Sequence, residues 1–323
     1  MFDLPPLRWA KLEFTYIVSN NCVPPRFMYS VFWRSLRTSM PCLLKDGECE
    51  NCAWKPDCGK FDFFSGESRV KPFALEIERP QLRFIKAGER FKVSAIVIGS
   101  AISDTKLISL VMGFDRAGLS GFGRDLDDRW RVPFVLEKVE ADNLIEDGIA
   151  GGGKGKKMLL FDRSSGSKSL EVPTMYSEQL RSEKYPGETC VIQFKSPTQL
   201  VKCGPGGKKR FIRKPEFVDF FRNLTRRAMA LSFLYCGEKQ YERTYFPPCE
   251  VKDHPVTLSE ESSLKWKNVA SREDEKYWLQ GFVGTMKLSG DLTPFMPLLR
   301  LGEVIGVGKN TTMGFGRYTV TPF

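Results

Sequence analysis

From Trp9 to Val18 the chain reads Trp-Ala-Lys-Leu-Glu-Phe-Thr-Tyr-Ile-Val, and apolar residues recur at every second position, as in a half-buried strand. After Pro24-Pro25, Phe27, Val31 and Leu36 join Met28 and Phe32 at helical spacing, leaving Arg26, Arg34 and Arg37 towards solvent. The pattern predicts strands over 73–78 and 90–99, a helix around 107–114 with its flanks, and a strand over 130–139. The same order then repeats. A strand is predicted over 190–195, a long helix over 216–235, and strands over 264–269 and 281–288. A short helix opening at Pro294 and stopped by a left-handed Gly302 follows, with a last strand over 315–320.

A β-α-β-β-α-β order met twice predicts an α+β chain of two tandem ferredoxin-like, or RRM-like, domains, at 1–145 and 186–323. Residues 146–185 are expected to be a flexible basic hairpin or linker, because Gly151, Gly152, Gly153 and Gly155 alternate there with Lys154, Lys156 and Lys157.

Composition narrows the partners. Against 39 Asp and Glu stand 49 Lys and Arg, a net charge of +10, which favours a polyanion. No apolar run is long enough to span a bilayer, and Met1-Phe2-Asp3-Leu4-Pro5-Pro6 lacks the basic start and apolar core of a signal peptide. The expected location is the cytoplasm, with no membrane partner. There, nine cysteines argue for thiols or metal ligation over disulfides.

Two constellations carry chemistry. Cys42, Cys49, Cys52 and Cys58 lie within one short stretch as C-x6-C-x2-C-x5-C, a spacing that closes on one structural Zn²⁺, although an iron–sulfur cluster also takes four thiolates. Near the C-terminus, Gly306, Gly308, Gly314 and Gly316 surround Lys309, Thr311 and Thr312 and are followed by Arg317. Glycines let backbone N–H groups approach an anion closely, so a phosphate backbone is a natural ligand, the alternative being a tight turn before the last strand. Lys208, Lys209, Arg210 and Arg213 crowd a loop before the long helix that bears Arg226, an RNA-binding face or a solvated loop, and Tyr235, Tyr241 and Tyr245 are candidates for base stacking, the alternative being core aromatics.

The run Gly306-x-Gly308-Lys309-x-Thr311-Thr312-x-Gly314-x-Gly316-Arg317-Tyr318 after Leu298-Leu299-Arg300-Leu301-Gly302-Glu303 resembles the C-terminal glycine motif of the RAMP superfamily. Within it the chain looks most like the CRISPR-associated endoribonucleases that cut precursor CRISPR RNA at its repeats, the sixth family of Cas proteins. Gly118-x2-Gly121-Phe122-Gly123-Arg124, Phe194-x-Ser196-Pro197-Thr198 and the helix leading into Cys42 fall where that family has its counterparts. The resemblance implies cleavage by the 2′-OH of the RNA itself, giving a 2′,3′-cyclic phosphate without a catalytic metal. It also implies retention of the crRNA 3′ hairpin alongside other Cas subunits of an effector complex. The alternative is a non-cleaving crRNA-binding subunit of such a complex. Where many members carry histidines, this chain has Arg34 and Gly306, and its lone histidine is His254. The candidates for moving protons or stabilising charge are therefore Tyr29, Arg34 and His254.

Overall fold

The chain divides into two compact units, Arg8–Met175 and Tyr176–Phe323 with Met1–Leu7. The computed structural model describes residues 4–25, 27–42, 52–66, 68, 70–78, 82–127, 130–143, 156–166, 169, 171–182, 189–204, 208–237, 256–259, 261–270 and 279–322.

In the first unit β1 (Arg8–Val18) turns Leu12, Phe14, Tyr16 and Val18 into the core. It pairs antiparallel with β3 (Arg90–Ile98) and β6 (Phe134–Asn143), while β2 (Phe73–Ile77) adds to the far side of β3. The order β2-β3-β1-β6 is the ferredoxin-like one, with α1 (Met28–Ser39) and α2 (Asp104–Leu119) as its connecting helices. Their apolar stripes pack onto strands through rings: Phe114 of α2 stacks on Phe14 of β1 with centroids 3.7 Å apart, and Phe32 of α1 on Phe122 at 4.9 Å.

Two predicted features of this unit need correction. Pro133, which has no N–H to give a ladder, divides the strand expected over 130–139. The part before it, β5 (Trp130–Val132), pairs with β4 (Phe122–Arg124), and Arg131 takes a positive φ of 73° as the chain turns into β6. Part of the expected linker is instead β7 (Lys156–Asp162), which pairs with β6 because Met158 and Leu160 alternate inward onto the core. A two-residue strand, β8 (Met175–Tyr176), stands where the units divide.

The second unit repeats the order around β9 (Thr189–Thr198), flanked by β14 (Leu279–Ser289) and β15 (Tyr318–Pro322). On the other side of β14 lie β12 (Thr257–Leu258) and β13 (Ser263–Ala270). Helix α3 (Phe217–Tyr235) is opened by a capping box between Glu216 and Asp219. The second helix, α4 (Met296–Ile305), runs through Gly302 and ends at Gly306, whose φ is +71°. Gly302 is thus not the stop that its residue type suggested. It is small because Tyr318 passes beside it, and a Cβ there would lie 1.9 Å from the Tyr318 hydroxyl oxygen.

The basic segment expected to be a loop is a hairpin inserted between β9 and α3, formed by β10 (Leu200–Cys203) and β11 (Lys209–Ile212). Its edge is closed by one side chain. The Asn223 amide of α3 accepts from the Val201 N–H and donates to the Val201 carbonyl, each at 3.1 Å, doing for this edge what a further strand would do. Replacing Asn223 with Ala leaves both backbone groups unpaired and should cost about 1–3 kcal/mol. Amide exchange at Val201 should accelerate in the variant, and unchanged protection would show that the hairpin stands without this contact.

A candidate nucleic-acid interface in the second unit

The glycine loop is held by the end of β9. Gly316 donates its N–H to Pro197 O at 3.0 Å, Lys309 donates to Gln199 O at 2.9 Å, and the Arg317 N–H reaches Ser196 Oγ at 2.9 Å. Inside the loop, Val307 donates to Gly316 O, Gly314 to Thr311 O and Phe315 to Asn310 O. Asn310, left-handed at φ 60°, donates its side-chain amide to Gln199 Oε1 at 2.7 Å. This network gives two glycines their reason. A Cβ on Gly308 would lie 2.2 Å from Gln199 O, and one on Gly316 would lie 1.9 Å from Val307 O, both at positive φ. Most of the amides thus serve the loop's own packing. Those of Gly308 and Thr312, at half-buried positions, meet no acceptor among the described residues and remain available beside the exposed Lys309.

Below the loop two guanidinium groups cap the end of α4. Arg227 Nε donates to Ile305 O at 2.9 Å, and Arg317 Nη1 donates to Val304 O. Both arginines are buried, and these positive groups at a helix C-terminus satisfy carbonyls that have no partner within the helix. Burial, with the Arg317 charge adding to it, pushes Arg227 down to about 9, so it is still a cation at neutral pH. The opposite side of α4 is tied to β15, where Glu303 accepts the Val320 N–H at 2.6 Å and an Arg300 donor at 3.0 Å. Burial raises the Glu303 carboxyl above its usual range, while those two partners pull it back. Arg317, a predicted RNA contact, therefore faces inward, as do Gly306, Gly314, Gly316 and Thr311.

Outward-facing charge lies on the hairpin. Lys202, Lys208, Lys209, Arg210, Arg213 and Lys214 are exposed, as are Arg226 on α3 and Lys265 and Lys267 on β13. None of them meets a carboxylate among the described residues. The first unit mixes both kinds, for Arg37, Arg83, Lys86, Arg116 and Arg131 are exposed there with no carboxylate partner among the described residues. There Lys11, Arg90, Lys92, Lys106, Lys138, Lys157 and Arg163 all pair with Asp or Glu, the Lys106–Asp62 pair closing to 2.7 Å. Two aromatic rings that the sequence reading did not single out stand among the unpaired cations. Phe211 is exposed with the Lys309 Nζ 6.0 Å from its centroid, and Trp266 is half-buried with the Arg213 guanidinium at 5.8 Å.

The other candidates are placed elsewhere. Tyr29 is buried on α1, its hydroxyl 3.5 Å from Ile77 O and 3.4 Å from Ile77 N, whereas Arg34 is exposed on a different face of that helix. His254 and Cys49 lie outside the described residues, as do Tyr241 and Tyr245. Cys42, Cys52 and Cys58 are half-buried thiols, and among the described residues no group of three Cys, His, Asp or Glu is arranged as a metal site. The segment after Cys58 is firmly docked, since Phe63 and Phe64 enter the core and Asp62 reaches Lys106 of α2. The glycine motif of the first unit is a packing device: a Cβ on Gly123 would lie 2.5 Å from Val23 O, across the bridge that joins Val23 to Arg124.

A tandem ferredoxin-like chain with a glycine loop clamped beside an unpaired basic hairpin has the form of an RNA-binding protein. Residues 192–318 match the family described as CRISPR-associated endoribonuclease Cas6, and residues 7–156 match one described as an N-terminal domain. The first of these matches covers most of the second unit and bears out the resemblance carried by the glycine motifs. No curated protein matches the chain. Among solved structures, a Cas6 product complex shares 16% identity at a TM-score of 0.54, covering 97% of this chain and 99% of that one. Thermus thermophilus Cas6 shares 14% at 0.52, covering 98% and 99%. A partial Cas6-RT-Cas1–Cas2 complex shares 11% at 0.59, covering 99% of this chain and 47% of that longer one. At such identities the likeness is one of fold.

The loop's packing makes a graded prediction. Gly316→Ala must push Val307 aside and should lower the second unit's stability by about 3 kcal/mol. Gly306→Ala meets nothing nearer than 3.3 Å. It should cost roughly 1 kcal/mol, for its positive φ alone. Urea unfolding of the two variants checks the order, and equal losses would contradict it.

Proposed function

We propose that the chain is a CRISPR repeat-RNA endoribonuclease that grips its substrate through the second unit and cleaves it without a catalytic metal. The observation carrying this reading is the exposed basic hairpin, uncompensated by carboxylates, beside a glycine loop that offers the Gly308 and Thr312 amides and the Lys309 ammonium to phosphate. The family match over 192–318 supports it. In the proposed reaction the ribose 2′-oxygen bonds to its neighbouring phosphorus as the P–O5′ bond breaks. The 2′-OH proton passes to water and the 5′-oxygen takes one from water, giving a 2′,3′-cyclic phosphate and a 5′-OH. The protein's task is then in-line alignment and positive charge for the phosphorane, a part that suits Arg34, a permanent cation and a poor proton carrier. Tyr29 would have to leave Ile77 to take part, and His254, the other candidate, is not required where water carries the protons.

Cys42, Cys49, Cys52 and Cys58 are proposed to hold a structural Zn²⁺, for which four thiolates are the fitting donor set. Retention of the crRNA 3′ hairpin within an effector complex with other Cas proteins completes the reading. One of the similar structures is a Cas6-RT-Cas1–Cas2 complex. The second reading, a crRNA-binding subunit that does not cut, is favoured by the hydroxyl of Tyr29 being turned to Ile77 on a helix without histidine.

Incubating the purified protein with the repeat RNA of its own locus in EDTA tests the proposal. A single cut with a cyclic-phosphate end is expected, slowed about a hundredfold in Arg34→Ala and within about twofold of wild type in His254→Ala. Tight binding with no cut makes the second reading the correct one. Elemental analysis should find about one Zn per chain, reduced in Cys52→Ser together with thermal stability, and a stable zinc-free preparation contradicts the metal assignment.

A further inference from the structure

The hairpin brings two rings to one place far apart in the chain. Phe211 of β11 and Trp266 of β13 have centroids 6.3 Å apart with planes inclined by 43°. Phe211 is 48% exposed, an unusual place for a large ring unless its face has a use. Its register partner across the hairpin is Val201, and the Asn223 amide fixes that pair to α3, so the ring stands on a braced strand. The cations are arranged around the rings. Lys309 brings its ammonium over Phe211, and Arg213 lies over Trp266. Exposed Arg210 precedes Phe211, and exposed Lys265 and Lys267 flank Trp266.

We infer that Phe211, backed by Trp266, is a stacking platform for an unpaired base of single-stranded RNA, with Lys309 linking it to the phosphate-binding glycine loop. A base needs a flat apolar face, and its phosphates need positive charge on either side of that face; the surface supplies both. At 6.0 Å the Lys309 ammonium sits at the far limit of a cation–π contact, so a base covers Phe211 without breaking a strong interaction. The ammonium then turns to the adjoining phosphate. A docking protein would favour carboxylates facing these cations and aromatic contact at the centre, but among the described residues Arg210, Arg213, Lys265, Lys267 and Lys309 beside the rings have no carboxylate partner, which matches the regular phosphates of a nucleic-acid strand better. This platform deepens the RNA-binding reading of the same unit without depending on cleavage.

The probe is an unstructured RNA dodecamer carrying 2-aminopurine, titrated into the full-length chain at low salt. Stacking should quench the fluorophore on binding. Phe211→Ala should weaken binding about tenfold and abolish the quench, and Phe211→Trp should restore both. Phe211 is exposed, so the variant's fold is checked by an unshifted melting curve. Unchanged affinity and emission in Phe211→Ala overturn the platform even if repeat RNA is still bound and cut. Failure of wild type to bind the dodecamer also overturns it and assigns the rings to a protein partner. Binding and quenching of the dodecamer without cleavage of repeat RNA would sustain the platform while the nuclease reading fails.

Discussion

The contact on which the second unit's proposed role depends is the seam between the glycine loop and the last four residues of the strand end, Ser196 to Gln199. Gly316, Lys309 and Arg317 each donate a backbone N–H into that seam, and Asn310 adds its side chain through Gln199. A loop this polar would otherwise be loose, since each of its amides bonds equally well to water. Here the donors find fixed acceptors at the end of the sheet's central strand, and no Cβ clashes with that end at Gly308 or with the loop's own Val307 at Gly316. The arginines beneath hold the preceding helix end, so the loop is pinned from two sides.

This pinning explains why the loop presents few groups outward. Backbone donors spent on packing cannot also hold phosphate, so in the proposed role the phosphate-binding share would pass to Lys309, two amides and the hairpin cations. The placement of charge on the first unit's sheet and on the hairpin follows the same logic. Where lysines of the first unit serve its sheet, carboxylates stand opposite them, as Glu13 does for both Lys92 and Lys157, lowering its own pKa against the burial that raises it. On the hairpin no such partner is present among the described residues, and mutual repulsion there is a cost that a bound polyanion would relieve.

The tandem β-α-β-β-α-β order was legible because most strands bury one face, and a two-residue period survives in any sequence that does so. The hairpin was not, since Lys209, Arg210 and Gly204 read as a solvated loop and only Leu200 and Ile212 turn inward. Gly302 was misjudged for a different reason: a helix stop and a close approach both call for glycine, and only the position of Tyr318 separates them. Tyr29 looked available because a phenol has a polar end, yet its ring continues the stripe of Met28, Phe32 and Leu36. Phe211 and Trp266 could not be paired from sequence at all, because no local period joins residues on separate strands. The glycine motif was legible as a loop with a job, although much of that job is holding its own shape.

The central claim is that the uncompensated cations of the hairpin meet RNA phosphates, and the salt dependence of repeat-RNA binding tests it most directly. Replacing Lys208, Lys209 and Arg210 together with Ala should lower the slope of log affinity against log salt by about two, with the melting temperature unchanged because all three side chains are exposed. A slope equal to that of wild type would show that the phosphates lie elsewhere and would contradict the account.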